Sequence, residues 1–287
     1  MEDVTFARNK TINGIDLYYE HYIHPSSART VVLLHGFLSS TFSFRHLIPL
    51  LKEDYNVISV DLPPFGKSGK LPSFTYSYRN LAATVVELMT SLGIPRFDVV
   101  GHSMGGQIAL NILLHHPRNA GNGILLCSSG YLKKAKLPLI LSSYIPYFHI
   151  YVKFHLAKSG VKQNLQNVVY DHSKINDEML LGYLSPFLED GIFKALTMMI
   201  RHREGDLSAE ELHRIMAPCL LIWGEHDKVV PLSVGKKLKK DLENSELVIL
   251  KETGHLVPEE KPEDVHRLIK RFIGSGELLN TTANVSR

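Results

Sequence analysis

The sequence predicts an α/β protein: a mostly parallel eight-stranded sheet flanked by helices, with an inserted α-helical cap. Short β-rich apolar runs alternate with longer helical patterns up to about Tyr131, the signature of βα units on a parallel sheet. The alternation then gives way to helical patterns broken by Pro and Gly, with no convincing strand, and resumes at about Pro218. The length of 287 residues suits one elaborated α/β domain. With 44% apolar and 21% charged residues, the composition excludes a disordered, collagen-like or coiled-coil chain.

Taken in order, residues 11–22 (TINGIDLYYEHY) read as an antiparallel hairpin at the sheet edge, turning at Asn13-Gly14. Residues 30–34 (TVVLL), 56–60 (NVISV), 98–100 (DVV) and 123–126 (GILL) are the first buried strands. Each is too short and too continuously apolar for a surface helix. Residues 219–223 (CLLIW) and 246–250 (ELVIL) supply two more, and helical patterns occupy 45–51, 78–92, 104–115, 232–242 and 263–273. Residues 1–130 and 210–273 thus form the core. Residues 131–209 form an aromatic-rich cap over the C-terminal sheet edge, where ligands of open α/β sheets bind. Residues 274–287 are polar and aperiodic and read as a flexible tail. The glycosylation patterns at Asn280 and Asn284 mean nothing without export.

Lys plus Arg number 32 and Asp plus Glu 29, a net charge of +3 that gives no reason to expect nucleic acid. Cys127 and Cys219 lie in apolar runs and read as core hydrophobes in a reducing compartment. The charged N-terminus (MEDVTFARNK) lacks the apolar stretch of a signal peptide, so a cytoplasmic location is expected. Residues 137–157 are apolar but interrupted by Pro138, Pro146 and Lys153, and fail as a spanning helix. They read as a cap or core helix pair, not as a membrane contact. No metal-ligand spacing and no phosphate-cradling glycine loop occurs, so neither metal nor cofactor is expected.

Gly101-His102-Ser103-Met104-Gly105 is a G-x-S-x-G pentapeptide between a strand and a helix pattern. A tight turn there holds a serine hydroxyl clear of the backbone, and a side chain at either glycine would collide with a neighbouring element. Such a hydroxyl needs a base, and the base an orienting acid. His255, in Gly254-His255-Leu256, follows the strand at 246–250; Asp227, in Gly224–Pro231 (GEHDKVVP), follows the strand at 219–223. Both therefore stand on the sheet edge that carries Ser103. Glu225, two residues before Asp227, is the alternative acid, and His102 and His226 read as supporting or surface residues. Gly36, in His35-Gly36-Phe37 after the strand at 30–34, leaves the Phe37 N–H free to point inward. With the Met104 N–H it would form a two-donor oxyanion hole, worth about 3 kcal/mol of transition-state stabilisation per donor.

These segments resemble the α/β-hydrolase fold family over nearly the whole chain, from about Thr11 to Ile273. The resemblance rests on HGF (35–37), DLPPFGKS (61–68), GHSMGG (101–106), GEHDKVVP (224–231) and TGHLVPEEKP (253–262), in the order Ser103, Asp227, His255. It implies Ser103 as nucleophile, His255 as base, Asp227 as orienting acid, and a cap between the sixth and seventh main strands. The 61–68 segment departs from the family's D-x-x-G-x-G-x-S loop, with Pro64-Phe65 where Gly-x is usual, and reads as a loop flanking the pocket.

Within the resemblance, serine at the turn speaks against epoxide hydrolases and haloalkane dehalogenases, which place Asp there. The expectation is a serine carboxylesterase that cleaves esters of short to medium apolar acyl or alkyl groups through an acyl-enzyme. The alternatives are a C–C bond hydrolase or a monoacylglycerol lipase-like hydrolase and, from another class, a hydrolase-like small-molecule sensor or regulatory binding protein. The C–C hydrolases commonly show Asn before the serine, where this chain has His102. The expected partner is a small-molecule ester, the expected state a monomer or homodimer.

Overall fold

The computed structural model describes residues 5–157 and 160–283. The hairpin is β1 (Thr5–Ile12) and β2 (Ile15–Tyr22), joined through Asn13 at φ 51° and Gly14 at φ 77°, the left-handed pair that a two-residue turn requires. β3 (Thr30–Leu34), β4 (Asn56–Val60), β5 (Phe97–His102), β6 (Ala120–Leu126), β7 (Cys219–Gly224) and β8 (Ser245–Leu250) complete the sheet. Its order is β1-β2-β4-β3-β5-β6-β7-β8: β2 runs antiparallel to both its neighbours, β1 and β4, and all other pairs are parallel. The expected eight-stranded, mostly parallel sheet is present. β3, β5 and β7 are buried along their whole length because helices cover both faces, which is why they read as unbroken apolar runs.

The core helices before the cap are α1 (Ile48–Leu51), α2 (Tyr78–Ser91) and α3 (Met104–His115). The cap carries α4 (Leu137–Ser142), α5 (Phe148–Ala157), α6 (Gly160–Val168), α7 (Asp177–Leu188) and α8 (Ile192–His202). After it come α9 (Ala209–Leu212), α10 (Leu232–Asp241), α11 (Val257–Glu260) and α12 (Pro262–Ala283). Two expectations need correction. The helix predicted over 45–51 is confined to α1, Ile48–Leu51, after a 3-10 turn at Thr41–Phe44, because Pro49 is accepted only in a helix's first turn. The helix predicted over 263–273 begins at Pro262 and continues as far as Ala283, since extending a formed helix is far easier than nucleating one. Residues 284–287, with Asn284, lie outside the described residues.

The cap enters and leaves the core through one neck between β6 and β7. Asp206 accepts hydrogen bonds from the Ser129 hydroxyl (2.6 Å) and the Leu132 N–H (2.9 Å), and its own N–H donates to the Leu132 carbonyl (2.7 Å). Buried Gln107 of α3 ties the same neck to the core through Ser129 and Leu207. Among the described residues, no helix is long and apolar enough to cross a membrane.

Candidate active site

Ser103 stands where β5 ends and α3 begins, at φ 53° and ψ −116°. Such a backbone costs of order 1–3 kcal/mol and persists only where its surroundings enforce it. Here the Ser103 N–H donates to the Leu126 carbonyl at 3.0 Å, and the Ser103 carbonyl accepts from Gly106 and Ser129, both at 3.0 Å. A Cβ on Gly101 would run into the Gly105 carbonyl, and one on Gly105 into the Leu34 carbonyl of β3. Both glycines are steric requirements, as the pentapeptide pattern predicts.

His255 is buried on the loop between β8 and α11, with Nδ1 2.7 Å from Asp227 Oδ2. The other Asp227 oxygen accepts the N–H groups of Val229 (2.8 Å) and Val230 (2.9 Å). Burial pushes this carboxyl up, but the hydrogen bond and charge of His255 with the two backbone amides outweigh it and hold it below the usual range. An ionised Asp227 can only accept, so Nδ1 carries the His255 proton and Nε2 is left with the lone pair. Glu225 is half-exposed and pairs with His226 at 3.7 Å, while His226 stacks on Tyr170 of the cap at 4.5 Å. Ser103 and His255 line one cavity of about 360 Å³, although no hydrogen bond joins them among the described residues.

Met104 opens α3, whose first N–H groups have no carbonyl a turn earlier to pair with. Phe37 lies in the loop after β3, and among the described residues neither N–H is paired with a backbone carbonyl. A Cβ on Gly36 would stand 3.2 Å from Ser103 Cβ and 3.1 Å from His102 Nδ1, so glycine lets this loop pass close to the serine turn.

Further residues support the site: His35 and Asp61, left without a role in the sequence reading, and His102, read there as a supporting or surface residue. His35 bonds the Gly36 carbonyl through Nδ1 (2.7 Å) and accepts the Leu62 N–H on Nε2 (2.8 Å), which fixes its tautomer; burial lowers its pKa to about 4 and keeps it neutral. His102 bonds the His255 carbonyl through Nε2 at 2.9 Å and is lowered to about 3 by burial and then by the neighbouring His255 charge. Asp61 accepts the N–H groups of Thr41 (2.7 Å) and Lys67 (2.8 Å), with burial pushing its pKa up to about 6. Phe65 of the same loop meets Phe37 edge-on at 5.4 Å, so the segment flanks the pocket as expected.

Glu260 joins the cap to the loop that carries His255. Its carboxylate accepts the N–H of Gly254 (2.8 Å) and, from the cap, those of Tyr170 (2.8 Å) and Asp171 (3.3 Å). The His255 N–H itself donates to the Val168 carbonyl at the end of α6, at 2.7 Å. A signal for Glu260 was present in the PEE run after His255, but its two cap partners lie 90 and 89 positions away.

The donor atoms of Cys127, Asp227 and His255 lie within 4.8 Å of one another. They suit a metal poorly, because the His255 Nδ1 is protonated and burial pushes the Cys127 thiol far above its ordinary value. The cavity wall is largely apolar, from Leu38, Val161, Leu165, Val229 and Leu256, with Asn164 and Asn167 as polar groups. Among the described residues that line it, none is Lys or Arg.

A family model described as alpha/beta hydrolase fold matches residues 29–262. An uncharacterized hydrolase, YugF, of Bacillus subtilis (strain 168) is 51% identical over 273 residues, covering 95% of this chain and 100% of that protein. A 2-hydroxy-6-oxo-6-phenylhexa-2,4-dienoate hydrolase of Burkholderia cepacia is 28% identical, covering 96% and 99%. Among solved structures, a thermophilic esterase from Thermogutta terrifontis superposes with a TM-score of 0.77 at 20% identity, covering 94% of this chain and 98% of that one. At that identity the likeness concerns the fold.

Proposed function

The chain belongs to the α/β-hydrolase fold family and is a hydrolase, and from that premise we propose that it is a serine carboxylesterase acting on esters of short to medium apolar groups. The observation that carries the reading is the dyad: His255 Nδ1 at 2.7 Å from a buried, ionised Asp227, beside Ser103 in one cavity. Ser103 attacks the ester carbonyl while His255 Nε2 takes its proton and returns it to the leaving alcohol. The Phe37 and Met104 N–H groups stabilise the oxyanion, and water, activated by His255, then hydrolyses the acyl-enzyme.

The cavity chemistry favours ester cleavage over the C–C cleavage named for some relatives. Their dienoate substrate bears a carboxylate, which is costly to bury without a cationic partner. The described lining of this cavity offers no Lys or Arg, and its apolar wall suits a neutral acyl chain.

The test is a series of p-nitrophenyl esters of increasing acyl length, run with wild type and Ser103→Ala. Wild type is expected to prefer short to medium chains, and Ser103→Ala to lose at least ~10³-fold in kcat. A phenylmethylsulfonyl fluoride adduct is expected on the peptide that contains Ser103. Wild-type rates in Ser103→Ala would overturn the assignment. Faster turnover of 2-hydroxy-6-oxo-6-phenylhexa-2,4-dienoate than of any ester would replace it with C–C hydrolysis.

A further inference from the structure

The outer surface of the cap is more apolar than a lid over one small cavity requires. Leu137, Leu141, Tyr144, Ile145, Tyr147 and Phe154 each expose between 59% and 74% of their surface. α4 has no buried residue, and α5 is apolar on two sides. Phe148, Val152 and Leu156, four apart, face inward, where α5 packs on α8; Tyr147, Ile150 and Phe154 are exposed and belong to neither hydrophobic core cluster. Contiguous exposed apolar surface of this kind marks an interaction site.

Charge identifies the partner. Between Tyr131 and Tyr170 the chain holds Lys133, Lys134, Lys136, Lys153, Lys158 and Lys162 and no Asp or Glu, although its whole net charge is only +3. Lys133, Lys134, Lys136 and Lys153 are exposed around the apolar face. A second copy pairing through the same patch would bring like charges together. Apolar and aromatic tips ringed by lysine instead match the interface of an anionic bilayer. Behind the face, a cavity of about 420 Å³ between α5 and α8 is walled by Leu139, Phe148 and Tyr151 and ends at Phe37, which also lines the Ser103 cavity.

We propose that the α4–α5 face of the cap docks peripherally on an anionic lipid surface, whatever reaction the site performs. The sequence pattern alone reads this stretch as a cap or core helix pair and not as a membrane contact; its exposure argues for the contact. The test is co-sedimentation with vesicles of phosphatidylcholine, with and without about one third phosphatidylglycerol. Binding is expected to be at least ~10-fold stronger to the anionic vesicles and to weaken with salt. The triple variant Lys133→Gln, Lys134→Gln, Lys136→Gln and the double variant Tyr147→Ser, Phe154→Ser are each expected to lose it ~10-fold or more, with wild-type melting temperatures. Absence of binding to either vesicle, or undiminished binding by both variants, would overturn the proposal. So would a wild-type dimer that Tyr147→Ser, Phe154→Ser converts to a monomer, since the face would then pair two copies.

Discussion

Asp227 is buried against His255, whereas Glu225, two residues earlier, keeps its carboxylate half in solvent beside His226. In the proposed mechanism only the first can hold the His255 tautomer and stabilise the imidazolium that would form as Ser103 gives up its proton. Asp227→Asn is therefore expected to lower kcat by on the order of 10⁴, and Glu225→Gln to leave it within about twofold. A larger loss from Glu225→Gln in steady-state ester hydrolysis would reverse the assignment. That Ser103, Asp227 and His255 come near one another was legible in the sequence because each lies within a few residues of the end of an apolar strand run on the same sheet edge. His35 and Asp61 were not, because they act by accepting backbone N–H groups 27 and 20 positions away, and no local pattern encodes such partners.

At the scale of elements, the parallel strands were legible because burial on both faces leaves an unbroken apolar run; β3 and β4 have the bounds read from the sequence. β1 was read only at its end, as the hairpin arm from residue 11, because it pairs with one neighbour only and carries Arg8 and Lys10. The short α11 has its own part in the proposed mechanism. It ends in Glu260, whose carboxylate holds Gly254 on one side and Tyr170 and Asp171 on the other. Glu260→Ala strands those N–H groups and is expected to cost about 3 kcal/mol in urea unfolding. It is also expected to lower kcat about tenfold by loosening His255, with partial recovery in Glu260→Gln. Lost stability with an unchanged kcat would show that the carboxylate serves the fold alone.

For the molecule as a whole, buried Asp61 makes stability depend on pH. Its folded pKa of about 6 lies above the ordinary carboxylate value. Between about pH 4 and pH 6 the native state thus holds a proton that the unfolded chain has released. Through this group, unfolding free energy falls as pH rises across that window, by on the order of 2 kcal/mol, and is level above it. Asp61→Asn lacks the titration, so its stability relative to wild type is expected to rise from pH 4 to pH 7 by that amount, whatever its constant offset. A difference independent of pH in chemical denaturation would refute this.

The Val168 carbonyl that receives the His255 N–H also restricts how such a protein can diversify. A cap is not a cassette that recombination can exchange freely above a constant core. A transplanted cap has to present a carbonyl at that point, or the recipient's His255 loop loses its outer hold. Viable breakpoints are those that inherit residues 168–171 together with the loop bearing His255, so new caps are accepted as co-adapted pairs.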